Sequence, residues 1–238
     1  MIFKISALIL LAAFYACYFI KMFGQRKKGI KTSQIGKGKT GKTRTVEYLM
    51  SVSTVLAVIA EVASIIVGTT VFPLFLRIIG LAITAAGVAV FIAAVVTMRD
   101  SWRVGVPEEK KTAIVTTGIF SVSRNPAFLG FDLVYLGILL MFFNPFLLLF
   151  SVFSAVMLHL QTVVVEEPFL REAFGKEYEN YTKNVCRYLG KKLKYKKSFY
   201  LCFDKAKKEV YNCVILKRKE NEDEPQFLLC ILLLLLLF

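Results

Sequence analysis

Three short polar clusters interrupt an otherwise apolar chain, and their residue types define the chemistry open to it. The first is Arg124-Asn125-Pro126-Ala127-Phe128-Leu129-Gly130; one apolar helical hairpin later come Glu166-Glu167 and then Gly175-Lys176-Glu177-Tyr178-Glu179-Asn180-Tyr181. Pro126 suits the first position of a helix, with Asn125 as its N-cap. Unpaired backbone N–H groups and the helix dipole then favour an anion at that point, and Arg124 adds a charge-assisted fork. Glu166 and Glu167 fall at the C-terminal end of the following helix, where acids work against the dipole. Such a placement calls for cationic or hydroxyl-bearing ligand groups. The structural alternative has Arg124 reaching to lipid phosphate, Glu167 capping the helix at Pro168, and Glu166 paired with Arg171 or Lys183.

The elements that must hold these residues are membrane spans. Hydrophobic residues make up 56% of the 238, and the mean hydropathy is +0.60, well above a soluble domain with its usual apolar share of about 45–50%. Apolar stretches run through 1–23, 48–70, 72–98, 127–143 and 145–165, each close to the roughly 17–25 residues a span requires. The sequence therefore predicts an all-α integral membrane protein with five transmembrane helices. After Pro168, Leu170, Phe174, Tyr178, Tyr181 and Val185 recur at helical spacing, which predicts a cytoplasmic amphipathic helix with a face for the membrane surface or for covering a site.

Charge sets the orientation. The loop 24–45 runs from Arg26 to Arg44 with lysines and arginines and no acid, so it is expected in the cytoplasm and the N-terminus outside. Alternation then places 99–126 and everything after Val165 on the cytoplasmic side, which brings the polar clusters to one face. A net charge of +14 concentrated beside spans reads as attraction to anionic lipid rather than to nucleic acid. Cys17, Cys186, Cys202, Cys213 and Cys230 show no C-x-x-C spacing, so neither a disulfide framework nor a metal site is expected. Residues 1–23 read as a retained first helix, because the positive charge follows the apolar core instead of preceding it. Gly36 to Thr43 literally fits a phosphate-loop pattern, but it follows a span and a solvated basic loop instead of a strand, and is rejected.

The chain divides into a three-helix region at 1–98, a core at 99–189 and a tail at 190–238 to which no role is given. In the first region the short link near residue 71 predicts a tight hairpin of the second and third spans, with Gly80, Gly87 and neighbouring alanines allowing close approach. Glu61 and Asp132 are acids within spans, a functional hypothesis by default. Arg77 is a possible partner for Glu61; Asp132 could line a cavity near Arg124. His159, the single histidine, precedes Glu166 by seven residues, which places both on one helix face.

From Gly118 to Leu189 the ordered motifs resemble the isoprenylcysteine carboxyl methyltransferase family and its phospholipid methyltransferase relatives. Their pattern is roughly G-x-Y/F, R-H-P-x-Y-x-G, E-E-x-x-L and G-x-x-Y-x-x-Y-x-x-x-V-x-R. Gly118, Arg124, Pro126, Gly130, Glu166, Glu167, Tyr178, Tyr181 and Arg187 match it; Asn125 stands where the family has His, and Phe128 where it has Tyr. The resemblance implies a membrane methyltransferase using S-adenosylmethionine, with Arg124 and Glu167 at the chemistry. Gly118, Arg124, Asn125, Pro126, Phe128, Gly130, Glu166, Glu167, Tyr178 and Tyr181 are the expected cofactor residues, and Asp132, His159 and Arg187 the acceptor side. The acceptor would be lipophilic and enter from the bilayer, either a carboxylate, as in the named family, or an amine, as in the phospholipid relatives. A nicotinamide-dependent sterol-reductase type and a non-catalytic membrane protein are the rival classes.

Overall fold

The computed structural model describes residues 1–106 and 113–190. The acidic and apolar runs of the tail, Cys202, Cys213 and Cys230, and part of the 99–125 connector lie outside the described residues. Helices account for the architecture: α1 is Ile2–Lys27, α2 Gly41–Val67, α3 Leu74–Met98, α4 Pro126–Met141, α5 Pro145–Leu160 and α6 Glu167–Asn184. Among the described residues there is no strand, only an isolated bridge between Ser33 and Val104. Four helical runs are long and apolar enough to cross a membrane: α1, α2, α3 with its following turn, and the continuous run from Pro145 to Asn184. Helix α4, at 16 residues, is shorter, about 24 Å at 1.5 Å per residue.

Close approach of helices rests on paired glycines. Gly80 and Gly87 of α3 lie seven residues apart, as do Gly130 and Gly137 of α4, and the two antiparallel helices bring them face to face. A Cβ on Gly80 would stand 2.6 Å from the Gly137 carbonyl oxygen, and one on Gly87 2.9 Å from that of Gly130. Dispersion between backbones replaces the hydrophobic driving force that lipid does not supply. This corrects the predicted hairpin of α2 and α3. The Gly68–Pro73 link ties only their ends; α3 packs chiefly on α4 and then α1, while α2 packs on α5. The glycine surface of α3 has its complement on α4, so that pairing wins.

Two further expectations change. Glu61 and Arg77 do not pair: both Glu61 carboxylate oxygens are buried without a partner, and Arg77 lies over the rings of Phe3 and Phe142, its guanidinium carbon 4.4 and 5.8 Å from their centroids. Glu61 sits two turns inside the Gly68 cap while Arg77 is in the first turn of α3, so their depths differ. The expected break at Pro168 is also absent. A π-helical turn, Gln161–Glu166, joins α5 to α6, Glu167 keeps helical dihedrals (φ −62°, ψ −41°), and the kink comes instead at Gly175 (φ 48°, ψ −121°). The wider i→i+5 turn shifts the hydrogen-bond ladder ahead of the proline, whose ring would otherwise clash and whose missing N–H would leave a carbonyl unpaired.

The basic loop before α2 is folded, not merely solvated. Glu47, fully buried, accepts from the Gly36 N–H at 2.6 Å and the Val106 N–H at 3.3 Å and pairs with Lys39. The glycine-rich segment that mimics a phosphate loop thus wraps a carboxylate of its own chain. Gln34 N–H donates to the Val104 carbonyl at 2.8 Å and Val104 N–H to that of Thr32 at 3.0 Å, fastening the loop to the segment after α3.

Replacing Gly137 by Ala is expected to destabilise the protein by about 1–3 kcal/mol, the usual cost of overpacking, because the new methyl meets the Gly80 backbone and Thr84. Thermal unfolding in detergent checks this. An unchanged midpoint would show that the α3–α4 contact is loose.

Candidate active site

The start of α4 is positioned by backbone pairing with the segment after α6. Arg124 N–H donates to the Cys186 carbonyl at 3.1 Å, Asn125 N–H to that of Arg187 at 3.0 Å, and Gly190 N–H to that of Val122 at 2.9 Å. Just before it, a 3-10 turn over Gly118–Ser121 is anchored by the Tyr181 hydroxyl, which donates to the Phe120 carbonyl. Gly118 opens this turn at φ 59° against the Thr97 side chain, where a side chain would be strained.

These constraints deliver two guanidinium groups to one carboxylate. Glu167 is 5% exposed; Arg124 approaches its Oε1 at 3.0 Å, and Arg187 binds it bidentately, Nε to Oε1 at 2.8 Å and Nη2 to Oε2 at 3.1 Å. Arg171, one turn along α6, stands 3.9 Å from Oε2. Arg124 Nη1 also donates to the Tyr178 hydroxyl at 2.9 Å. The partner of Arg171 is therefore Glu167 and not Glu166, and Glu167 is a hub of ion pairs instead of a helix cap. Asn125 occupies the N-cap position without a side-chain cap bond; its amide donates to Thr162 Oγ1 at 2.9 Å.

Beside this cluster lies one cavity of about 640 Å³. Arg124, Asn125, Pro126, Phe128, Glu166, Glu167, Tyr178 and Tyr181, all expected from the motifs, line it together. Leu170 and Phe174 line it too, so the apolar stripe of α6 covers the cavity. The rest of the wall is mainly apolar. Phe19, Val55 and Ile59 line the cavity and remain 47%, 57% and 59% exposed, so the wall that α1 and α2 contribute is not closed over by protein. At its inner end Phe91 and Phe131 pack on the buried Phe14, with ring centroids 4.2 and 4.8 Å from it.

Five predicted residues are not brought to the cavity. Gly118 and Gly130 have packing roles, the latter against Phe91 and Gly87. Asp132 is not among the lining residues as expected, and its Oδ1 is buried without a partner. His159 bonds through Nδ1 with the Tyr188 hydroxyl at 2.7 Å. The π turn between it and Glu166 breaks the 3.6-residue count on which their expected alignment rested, and of the two only Glu166 lines the cavity. Arg187 serves Glu167. Sequence reasoning missed Glu47, whose signal was an acid directly after the basic run, and Gln161, whose buried side chain acts on Glu166. It also missed Arg103 and Tyr15, which line the cavity without any motif to mark them.

Burial acts to raise the Glu167 carboxyl, but the hydrogen bond from Arg187 and the charges of Arg124, Arg187 and Arg171 outweigh it and hold the pKa below the ordinary 4.5. A depressed folded-state pKa contributes stability that is complete above the unfolded value and lost as pH falls through the folded one. Glu167→Gln should cost about 3–5 kcal/mol at neutral pH, since Arg124 and Arg187 lose their compensation. Melting midpoints of wild type and variant should converge as the pH falls through the carboxylate range; a constant gap would show that the carboxylate's charge does not matter.

Comparison with known proteins points the same way as the motifs. A family model described as phospholipid methyltransferase matches residues 75–177. A probable protein-S-isoprenylcysteine O-methyltransferase of Oryza sativa subsp. indica is 30% identical over 119 residues, 47% of this chain and 59% of the relative. Protein-S-isoprenylcysteine O-methyltransferase of Saccharomyces cerevisiae is 35% identical over 78 residues, 33% of each chain. The chain thus spans less than two thirds of the length of the curated relatives it matches. Residues 75–177 match the phospholipid methyltransferase model, in a multi-pass membrane protein that is similar to the protein-S-isoprenylcysteine O-methyltransferases.

Proposed function

We propose that this protein is a membrane methyltransferase that uses S-adenosylmethionine to methylate a lipophilic acceptor, most specifically the carboxylate of an isoprenylcysteine-type group. The observation that carries this reading is the joining of two environments in one cavity: a polar wall holding Arg124, Glu166 and Glu167, and an apolar remainder that is not closed over by protein at Phe19, Val55 and Ile59. The names of the relatives supply the acceptor class. In this reading α4 is a fifth span, the shared end of the helices is cytoplasmic, and α6 lies at that surface.

The residues present fit the cofactor. Arg124 Nε is buried without a partner on the polar wall. Orphaned polar groups of this kind are costly unless a ligand or water meets them. Arg124 and the first-turn N–H groups of α4 would hold a carboxylate, and Glu166 an ammonium or ribose hydroxyl. When bound, S-adenosylmethionine supplies an electrophilic methyl group. The chain's own work is to orient the acceptor, exclude water beneath α6 and supply no covalent intermediate. A carboxylate acceptor brings its own lone pair and needs no base; an amine acceptor must give up a proton.

S-Adenosylhomocysteine at about 100 times its Kd should stabilise the purified protein by about 2.7 kcal/mol, while NADPH should not. Stabilisation by NADPH instead would favour the reductase class, and by neither a protein without this chemistry. A labelled methyl-transfer assay over prenylcysteines, fatty acids and phosphatidylethanolamine identifies the acceptor; transfer to the amine lipid alone would replace O- by N-methylation.

Phe128 faces the cavity where the family pattern has Tyr. Phe128→Tyr is expected to change the acceptor profile while affinity for S-adenosylhomocysteine moves by less than about tenfold, or 1.4 kcal/mol. Loss of cofactor binding with an unchanged acceptor profile would reverse that division of the wall.

A further inference from the structure

Among the described residues four charged side chains line the cavity, Arg103, Arg124, Glu166 and Glu167, and their states differ. Arg124 is neutralised by Glu167 at 3.0 Å and further occupied by Tyr178. Glu167 is bound in addition by Arg187. Arg103 belongs to neither network and meets no carboxylate at ion-pair distance among the described residues.

The guanidinium of Arg103 is instead oriented by neutral acceptors. Its Nη1 donates to the carbonyl oxygens of Asp100 at 2.6 Å and Trp102 at 2.8 Å, which leaves the donors on Nε and Nη2 for another group. The Asp100 carboxylate, three residues away, is engaged by Lys28 at 2.9 Å. The backbone on both sides of Arg103 is pinned. Gln25 donates to the Trp102 carbonyl at 2.9 Å, and Val104 is held by Thr32 and Gln34. A cation fixed by its own backbone and half-buried at the edge of an apolar cavity is pre-organised for an anion and loses little freedom on binding one.

We propose that Arg103 receives the anionic end of the lipophilic acceptor. The inference rests on the methyl-transfer reading for the acceptor's carboxylate and adds the residue that selects it. A lipophilic carboxylate entering from the bilayer loses hydration, and without a countercharge that loss opposes entry. Arg124 is not available to the acceptor, because it is paired with Glu167 and, in the proposed reading, faces the cofactor's carboxylate. Arg103 lies outside the motif region from Gly118 to Leu189, on the segment that the folded basic loop fastens in place.

The test uses the full chain in phosphatidylcholine nanodiscs and measures equilibrium binding, not turnover, of an N-acylated S-farnesylcysteine and of its methyl ester. Wild type is expected to prefer the free acid by about tenfold or more. Arg103→Gln should abolish that preference, and Arg103→Lys, which keeps the charge and loses the fork, should retain part of it. Affinity for S-adenosylhomocysteine should be unchanged in both variants. Absence of acid preference in wild type, equal loss of acid and ester binding in both variants, or loss of the adenosyl ligand would each overturn the proposal. If the preference disappears when phosphatidylglycerol replaces part of the lipid, Arg103 is a headgroup site instead, which also overturns it. Acid preference in wild type without any methyl transfer would leave the anion site standing and bring down the methyltransferase reading.

Discussion

A carboxylate withdrawn from water must be compensated where it stands, and Glu167 is compensated by guanidinium groups from three places in the chain. Arg124 enters α4, Arg171 lies on α6, and Arg187 follows it. Satisfying one acid therefore fixes the start of α4, the face of α6 and the course of the returning segment at once. The backbone bonds from Arg124 and Asn125 to residues 186 and 187 hold the same arrangement. Removing the carboxylate strips Arg124 and the half-buried Arg187 of their countercharge, which is why its contribution is larger than that of a surface pair.

Around that cluster the bundle solves two opposing demands. Lipid gives helices no hydrophobic reason to associate, so α3 and α4 are joined by backbone approach at the paired glycines. A lipophilic ligand, in contrast, needs helices that do not close. The bulky residues Phe19 of α1 and Val55 and Ile59 of α2 line the cavity and stay largely exposed, so one side of the bundle is tight and the other is not closed, as the proposed entry of a lipophilic acceptor requires. The aromatic group of Phe14, Phe91 and Phe131 marks where the tight part begins.

The folded loop adds a third constraint. Glu47 organises Gly36, Lys39 and Val106, and the same loop clamps the segment carrying Trp102 and Arg103. A region that reads as loosely solvated positive charge therefore contributes to the cavity wall. Ile35 and Phe128 pack against the same buried apolar cluster, which includes Met50, Tyr135 and Leu158, and this couples the loop to the motif.

Apolar lengths determined the helices, and motif residue types determined the polar wall: Arg124, Asn125, Pro126, Phe128, Glu166, Glu167, Tyr178 and Tyr181 were all legible in the sequence and all line one cavity. Both signals are local, carried by composition and spacing within a few turns. Partners were not legible. That Glu167 meets Arg124 and Arg187, that α3 chooses α4 over α2, and that Glu61 and Arg77 stay apart depend on the relative depth and rotation of helices distant in sequence. The π turn shows the limit most directly. The helix passes through Pro168 after a π turn at Gln161–Glu166, and no 3.6-residue count could have foreseen it, because the choice between i→i+4 and i→i+5 bonding is made by the packing on both sides.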